Sequence, residues 1–108
     1  MDMTEYERAV ARTSPNGRAT RDDLLLGAVG LAGESGEVAD VVKKHVFHGH
    51  ELDRTRALEE LGDILWYVAF TARTLGSSLS AVADANVRKL AARYPEGFSE
   101  KASRDRTV

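Results

Sequence analysis

Two pairs of acidic residues restrict the folds open to this chain more than any other feature. Glu34 and Glu37 stand three residues apart in Leu31-Ala32-Gly33-Glu34-Ser35-Gly36-Glu37-Val38-Ala39-Asp40, and Glu60 and Asp63 repeat that spacing in Glu59-Glu60-Leu61-Gly62-Asp63. On a helix, residues three apart are neighbours on one face. Two such pairs on facing helices bring four carboxylates together, where like charges repel and burial raises the cost. A fold keeps that arrangement if a cation sits among the acids, or avoids it by holding them apart. All four donors are oxygens, the set suited to Mg²⁺, which is commonly shared between carboxylates and substrate phosphates. The pattern therefore points to a Mg²⁺ cage that holds the phosphates of a nucleotide. The competing reading is a solvated charged face, with Lys43 and Lys44 pairing to Glu37 and Asp40 at helical spacing. The acids alone leave both readings open.

The 108 residues make one domain, small enough to benefit from oligomerisation. A net charge of -2 provides no electrostatic basis for binding a nucleic acid polymer. The absence of cysteine excludes disulfides and thiolate metal sites. The first residues are acidic and have no apolar signal-peptide core, and no apolar run is long enough to span a bilayer. A cytoplasmic protein that does not engage membranes is expected.

Apolar residues recur at helical spacing throughout, and no strand pattern is present. A short helix is expected over 4–12, ended by Ser14-Pro15-Asn16-Gly17. A long helix follows over 21–46, with Thr20 as N-cap, Asp23 as capping-box partner and Gly49 as its stop. Gly27, Gly30, Gly33 and Gly36 lie inside it, each costing about 1 kcal/mol relative to alanine. Close approach of another helix, or room for a ligand beside the acids, would offset that cost. His45, His48 and His50 match a polar helix C-terminus better than a metal site, since no zinc-type spacing is present. Asp53 caps a third helix over 54–75, whose expected buried stripe is Leu58, Leu61, Ile64, Leu65, Val68, Ala69 and Ala72. Trp66, Tyr67 and Phe70 are expected in the core or an interface, with base stacking by Trp66 the lesser reading. Ser78 caps a fourth helix over 79–94, on which Asn86, Lys89 and Arg93 form one polar stripe. Phe98 is expected to dock. The chain thus reads as one all-α domain of four to five helices over 1–98, with a loose polar tail over 99–108.

In such a bundle, a bound metal can polarise a phosphoryl oxygen and acidify water. A carboxylate not used fully as a ligand can accept the water's proton. Lys89 and Arg93 can balance phosphate charge, and Asn86 can bond a phosphate or sugar. A di-iron bundle is disfavoured because neither Glu34 nor Glu60 has a histidine three residues on. A non-catalytic helical module that dimerises or senses nucleotides is the alternative in a different class.

Three segments together carry a family resemblance: Gly30 to Asp40 with Lys43-Lys44, then Glu59 to Tyr67, then Asn86 to Leu90 running into Arg93-Tyr94-Pro95-Glu96-Gly97-Phe98. In that order and at that separation they resemble the MazG-like nucleotide pyrophosphohydrolases of the all-α NTP pyrophosphatase superfamily. The resemblance implies cleavage of a nucleoside triphosphate to monophosphate and pyrophosphate with Mg²⁺, for which Mn²⁺ can substitute. It implies metal ligation by Glu34, Glu37 and Asp63, with Glu60 as a fourth ligand or as the group that orients the attacking water; Glu37 and Glu60 are the expected catalytic carboxylates. It places Asn86 and Lys89 toward the nucleotide, with Arg93 a weaker match. It also implies a helical core completed by a second subunit, in a homodimer or a dimer of dimers.

Overall fold

The computed structural model describes residues 1–106. Five helices follow in order: α1 (Met3–Thr13), α2 (Thr20–Phe47), α3 (Arg54–Thr74), α4 (Leu79–Arg93) and α5 (Glu100–Arg104). No strand occurs among the described residues, as expected for an all-α chain. The expected helix boundaries differ from the observed ones by one residue at most ends.

Helix α2 lies along α3 as an antiparallel partner, and α1 and α4 pack on α3 as well. Val10, Ala69, Phe70 and Leu79 form the buried centre, flanked by Tyr6, Leu26, Trp66 and Val68. Cross-helix hydrogen bonds lock α1 into place. Trp66 Nε1 donates to Thr13 Oγ1 at 2.8 Å. A Glu7 carboxylate oxygen accepts the Leu79 and Ser80 N–H groups at 2.6 and 3.3 Å, so an anion from α1 caps the N-terminus of α4.

The expected caps at Asp53 and Ser78 are present: Asp53 accepts from the Arg56 N–H at 3.0 Å and Ser78 from the Ala81 N–H at 3.1 Å. Thr20 is not a cap. It is the first helical residue, Ala19 holds the cap position without a side-chain bond, and Asp23 instead pairs with Arg18 at 3.0 Å. A charge-assisted bond to arginine is stronger than the neutral-donor capping bond it replaces. Gly76 closes α3 at φ 76°, with the Ser77 N–H reaching the Ala72 carbonyl at 2.8 Å. His45 Nδ1 lies 2.9 Å from the His50 carbonyl oxygen, which ties the histidine cluster to helix termination. Beyond residue 98 the expected loose tail contains α5, capped by Ser99; residues 107–108 of that tail lie outside the described residues. Phe98 stays exposed, its ring 5.4 Å from that of Tyr94.

The four glycines of α2 divide into two kinds. A Cβ on Gly27 would run into Thr71, and one on Gly30 into the Tyr67 ring, so these two let α2 and α3 approach closely. Gly33 and Gly36 face open space. Gly33→Ala and Gly36→Ala should therefore each stabilise the metal-free protein by about 1 kcal/mol through helix propensity. Gly30→Ala should destabilise it, because overpacking costs about 1–3 kcal/mol and exceeds that gain. Thermal melts of the three variants test this; equal gains in all three would mean that the Tyr67 ring swings aside freely.

The stripe expected to be buried on α3 is buried at its C-terminal end only. Ala69 and Ala72 are covered, whereas Leu58, Leu61 and Leu65 are exposed, as are Leu25, Val29, Val42 and Val46 on α2. The helical periodicity was a sound guide to which residues share a face; within the single chain that face is left uncovered. Two global quantities agree. The radius of gyration is 17.0 Å, against about 13 Å for a compact chain of this length. The accessible surface is 7877 Å², against roughly 5,900 Å² for a folded monomer of this mass.

Candidate metal centre

The stripe of α2 that meets α3 runs through Gly27, Gly30, Glu34 and Glu37; its counterpart on α3 runs back through Thr71, Tyr67, Asp63, Glu60 and Arg56. At one end, missing or small side chains allow tight packing. One to two turns further along, the same stripes carry acids. Glu34, Glu60 and Asp63 each bring one carboxylate oxygen into a group whose members lie within 4.8 Å of one another. Glu34 and Glu60 are half-buried and Asp63 is exposed. Among the described residues this is the one group of His, Cys, Asp and Glu that meets a metal-ligand spacing, so the three histidines are not part of such a group.

The group is strained as a set of anions. The Glu34 carboxyl is raised to about 7, first by its hydrogen bond with Glu60, then by partial desolvation, and then by the charges of Glu60, Asp63 and Glu37. A proton is thus held between two carboxylates where a cation would serve as well. This donor set fits a hard divalent ion such as Mg²⁺. Asp63 also contributes, after burial, to raising the Tyr6 phenol, which places α1 beside the same site. Asp40 stands apart. Lys44 and then Lys43 hold its carboxyl below the usual range despite some desolvation, through contacts of 3.0 and 3.4 Å.

These shifts set a pH dependence. Because Glu34 is raised from 4.5 to about 7, the folded metal-free protein holds more protons than the unfolded chain across that window. Its stability should fall as pH rises through it. Asp40 has the opposite sign and acts at lower pH, as its lowered carboxyl takes up a proton. A divalent ion held by this group would have to expel the Glu34 proton, so Mg²⁺ or Mn²⁺ affinity should rise about tenfold per pH unit up to about 7 and then level off. Calorimetric titrations between pH 5.5 and 8 check this, and Glu34→Gln should flatten the profile.

Glu37 is not in the group. Its Oε2 lies 2.7 Å from Arg56, and its side chain is half exposed. Lys43 and Lys44 both pair with Asp40 rather than dividing between Asp40 and Glu37. Beside the acids lies an open hollow of about 310 Å³ lined by Glu34, Asp63, Trp66 and Tyr67. The Trp66 ring is stacked on Phe70 at 5.2 Å and meets the Tyr67 ring edge-on at 5.0 Å. Asn86 and Lys89 are exposed on α4 and Arg93 is half-buried. None of these three lines the hollow.

Sequence reasoning missed Arg56, Tyr6 and Glu7. Arg56 had a readable signal, four residues before Glu60 on one helix face, but its cross-helix partner Glu37 needed the α2–α3 register. Tyr6 and Glu7 act across distant chain segments and carry no local signal.

No helix among the described residues is long and apolar enough to cross a membrane. No solved structure matches the chain. A protein of Mycobacterium phage L5, named Gene 37 protein, is 38% identical over 116 aligned positions, covering 98% of this chain and 100% of the phage protein. The family model for the MazG nucleotide pyrophosphohydrolase domain matches residues 25–98, the span that holds both acidic motifs, the glycine-packed helix pair and α4. With most of its length covered in this way, the chain belongs to the MazG nucleotide pyrophosphohydrolase domain family.

Proposed function

We propose that this chain is a Mg²⁺-dependent nucleoside triphosphate pyrophosphohydrolase, converting (d)NTP and water to (d)NMP and pyrophosphate, with Mn²⁺ able to replace Mg²⁺. The observation that carries the reading is the Glu34–Glu60–Asp63 group beside the Trp66–Tyr67 hollow, in a chain of this family. Glu34, Glu60 and Asp63 would hold the ion, and Glu37 would join them as a ligand or serve as base. When bound, the ion supplies Lewis acidity and charge neutralisation to the phosphates. Water adds to one phosphorus of the α–β bridge, the bond from that phosphorus to the bridging oxygen breaks, and the oxygen leaves with the other phosphoryl group, so that monophosphate and pyrophosphate separate. A carboxylate among Glu37 and Glu60 takes the water's proton. The aromatic wall of Trp66 and Tyr67 suits a nucleobase or sugar face.

The assembly proposed is a homodimer or a dimer of dimers. Its basis is the exposed apolar stripe of α2 and α3 and the surplus of surface over that of a compact monomer. A second copy would also bring an α4 over the hollow, which is how Asn86, Lys89 and Arg93 would reach phosphate. A cytoplasmic role in clearing surplus or non-standard nucleotides fits this chemistry.

The test is product analysis with a panel of canonical and modified NTPs and dNTPs. Monophosphate plus pyrophosphate, lost with EDTA, supports the reading. Diphosphate plus phosphate would keep a metal-dependent hydrolase but move the bond cleaved. No product with any nucleotide would favour a nucleotide-binding or dimerisation module.

A further inference from the structure

Arg56 stands in the first turn of α3, its backbone N–H fixed by Asp53 at 3.0 Å. Its guanidinium faces three carboxylates on two helices. One terminal nitrogen is 2.7 Å from Glu37 Oε2, the other is 3.7 Å from Asp40 Oδ2, and Nε is 3.9 Å from Glu60 Oε1. These contacts are unequal. Asp40 already holds two lysines, and the Glu60 contact is long, so the short bond to Glu37 dominates. Glu37 is one turn from Glu34 on the same face of α2, yet its carboxylate is absent from the group that Glu34 forms with Glu60 and Asp63. A positive charge with directed donors therefore occupies the oxygen that Glu37 would offer to an ion.

We propose that Arg56 is a built-in counter-cation that competes with the divalent ion for Glu37, so that metal capture exchanges the guanidinium for the ion at that carboxylate. The proposal rests on the metal site assigned above. Its physical basis is charge balance. Without metal, the Arg56 guanidinium is shared by Glu37 on α2 and Glu60 on α3, and its charge relieves repulsion among the acids. With metal bound, that relief is redundant, and Glu37 gains more from the doubly charged ion. Arg56 thus steadies the empty site and lowers its affinity, acting through Glu37 as a positioning residue.

The experiment is Mn²⁺ binding by calorimetry and electron paramagnetic resonance to the full chain, as wild type, Arg56→Met, Arg56→Lys, Glu37→Gln and the Arg56→Met/Glu37→Gln double variant. Arg56→Met should bind Mn²⁺ about two- to fivefold more tightly, the range set by an ion pair this open to solvent. Arg56→Lys, which keeps the charge and loses the fork, should fall between wild type and Arg56→Met. The gain should vanish in the Glu37→Gln background, because the competing partner is gone. Unchanged or weaker binding by Arg56→Met would overturn the proposal, as would a gain of equal size in both backgrounds, which is a diffuse field effect. Absence of Mn²⁺ binding by the wild type would overturn the metal-site reading and this proposal with it; wild-type binding with an unresponsive Arg56→Met overturns the proposal alone.

Discussion

Asp63→Asn is expected to lower pyrophosphate release by more than about a hundredfold, a larger loss than the 10–100-fold typical of groups that merely support metal ligands. The substitution preserves shape and removes one charge from the group that Glu34, Glu60 and Asp63 form. Asp63 is exposed, so the fold does not depend on burying it. Its charge is one cause of the raised Glu34 carboxyl, and removing it relieves repulsion in the empty site. The metal-free variant should therefore melt at or slightly above the wild-type temperature, while losing the stabilisation that Mg²⁺ is expected to give the wild type. Glu59→Gln is the control, because Glu59 is adjacent in sequence, exposed and outside the group. It should retain turnover. Steady-state pyrophosphate assays and paired melts with and without Mg²⁺ read both quantities. Wild-type turnover in Asp63→Asn would remove the site assignment. Glu37→Gln adds a separate discrimination: lost turnover with retained Mn²⁺ binding would make Glu37 the base rather than an essential ligand.

The helices and most of their ends were legible because their signals are local. Apolar spacing, Asp53 and Ser78 as caps, and Gly49 and Gly76 at positive φ all act within a turn or two of chain. The acidic group was legible for a related reason. Spacing of three residues places each pair on one helix face, and only the register between two helices remained to be supplied. That register is set by Gly27 against Thr71 and Gly30 against Tyr67, contacts in which the informative atom is a missing Cβ. Sequence flagged the glycines as costly but could not separate the two that pack from the two that face open space. The pairing of Glu37 with Arg56 was illegible for the same reason, since Arg56 reaches it across that register. Burial was the least legible property. Periodicity identifies a face that needs cover, and says nothing about whether the cover comes from the same chain.

Phe70→Ala is expected to be the most damaging core substitution, costing about 3–5 kcal/mol. Phe70 is 3% exposed and sits with Val10, Ala69 and Leu79 at the point where α1, α3 and α4 meet. Its ring also supports the Trp66 indole, which reaches back to Thr13 and forward to the hollow. Truncation therefore opens a cavity and loosens one wall of the candidate site together. For a domain of about this size each kcal/mol corresponds to roughly 4–8 °C in melting temperature, so a fall of more than about 12 °C is expected. Leu58→Ala provides the opposing case. Leu58 is 66% exposed in the single chain, and a surface truncation of that kind changes stability by about 0.5 kcal/mol or less. If a second copy covers the α2–α3 stripe, the same truncation instead acts as a core mutation, and its cost depends on protein concentration because folding and association are linked. Melts of Leu58→Ala across a hundredfold range of concentration, beside sedimentation of the wild type, separate the two. A small, concentration-independent effect with a monomeric wild type would mean that the exposed stripe is surface. A large effect that grows on dilution would mean that the α2–α3 stripe is core built between chains.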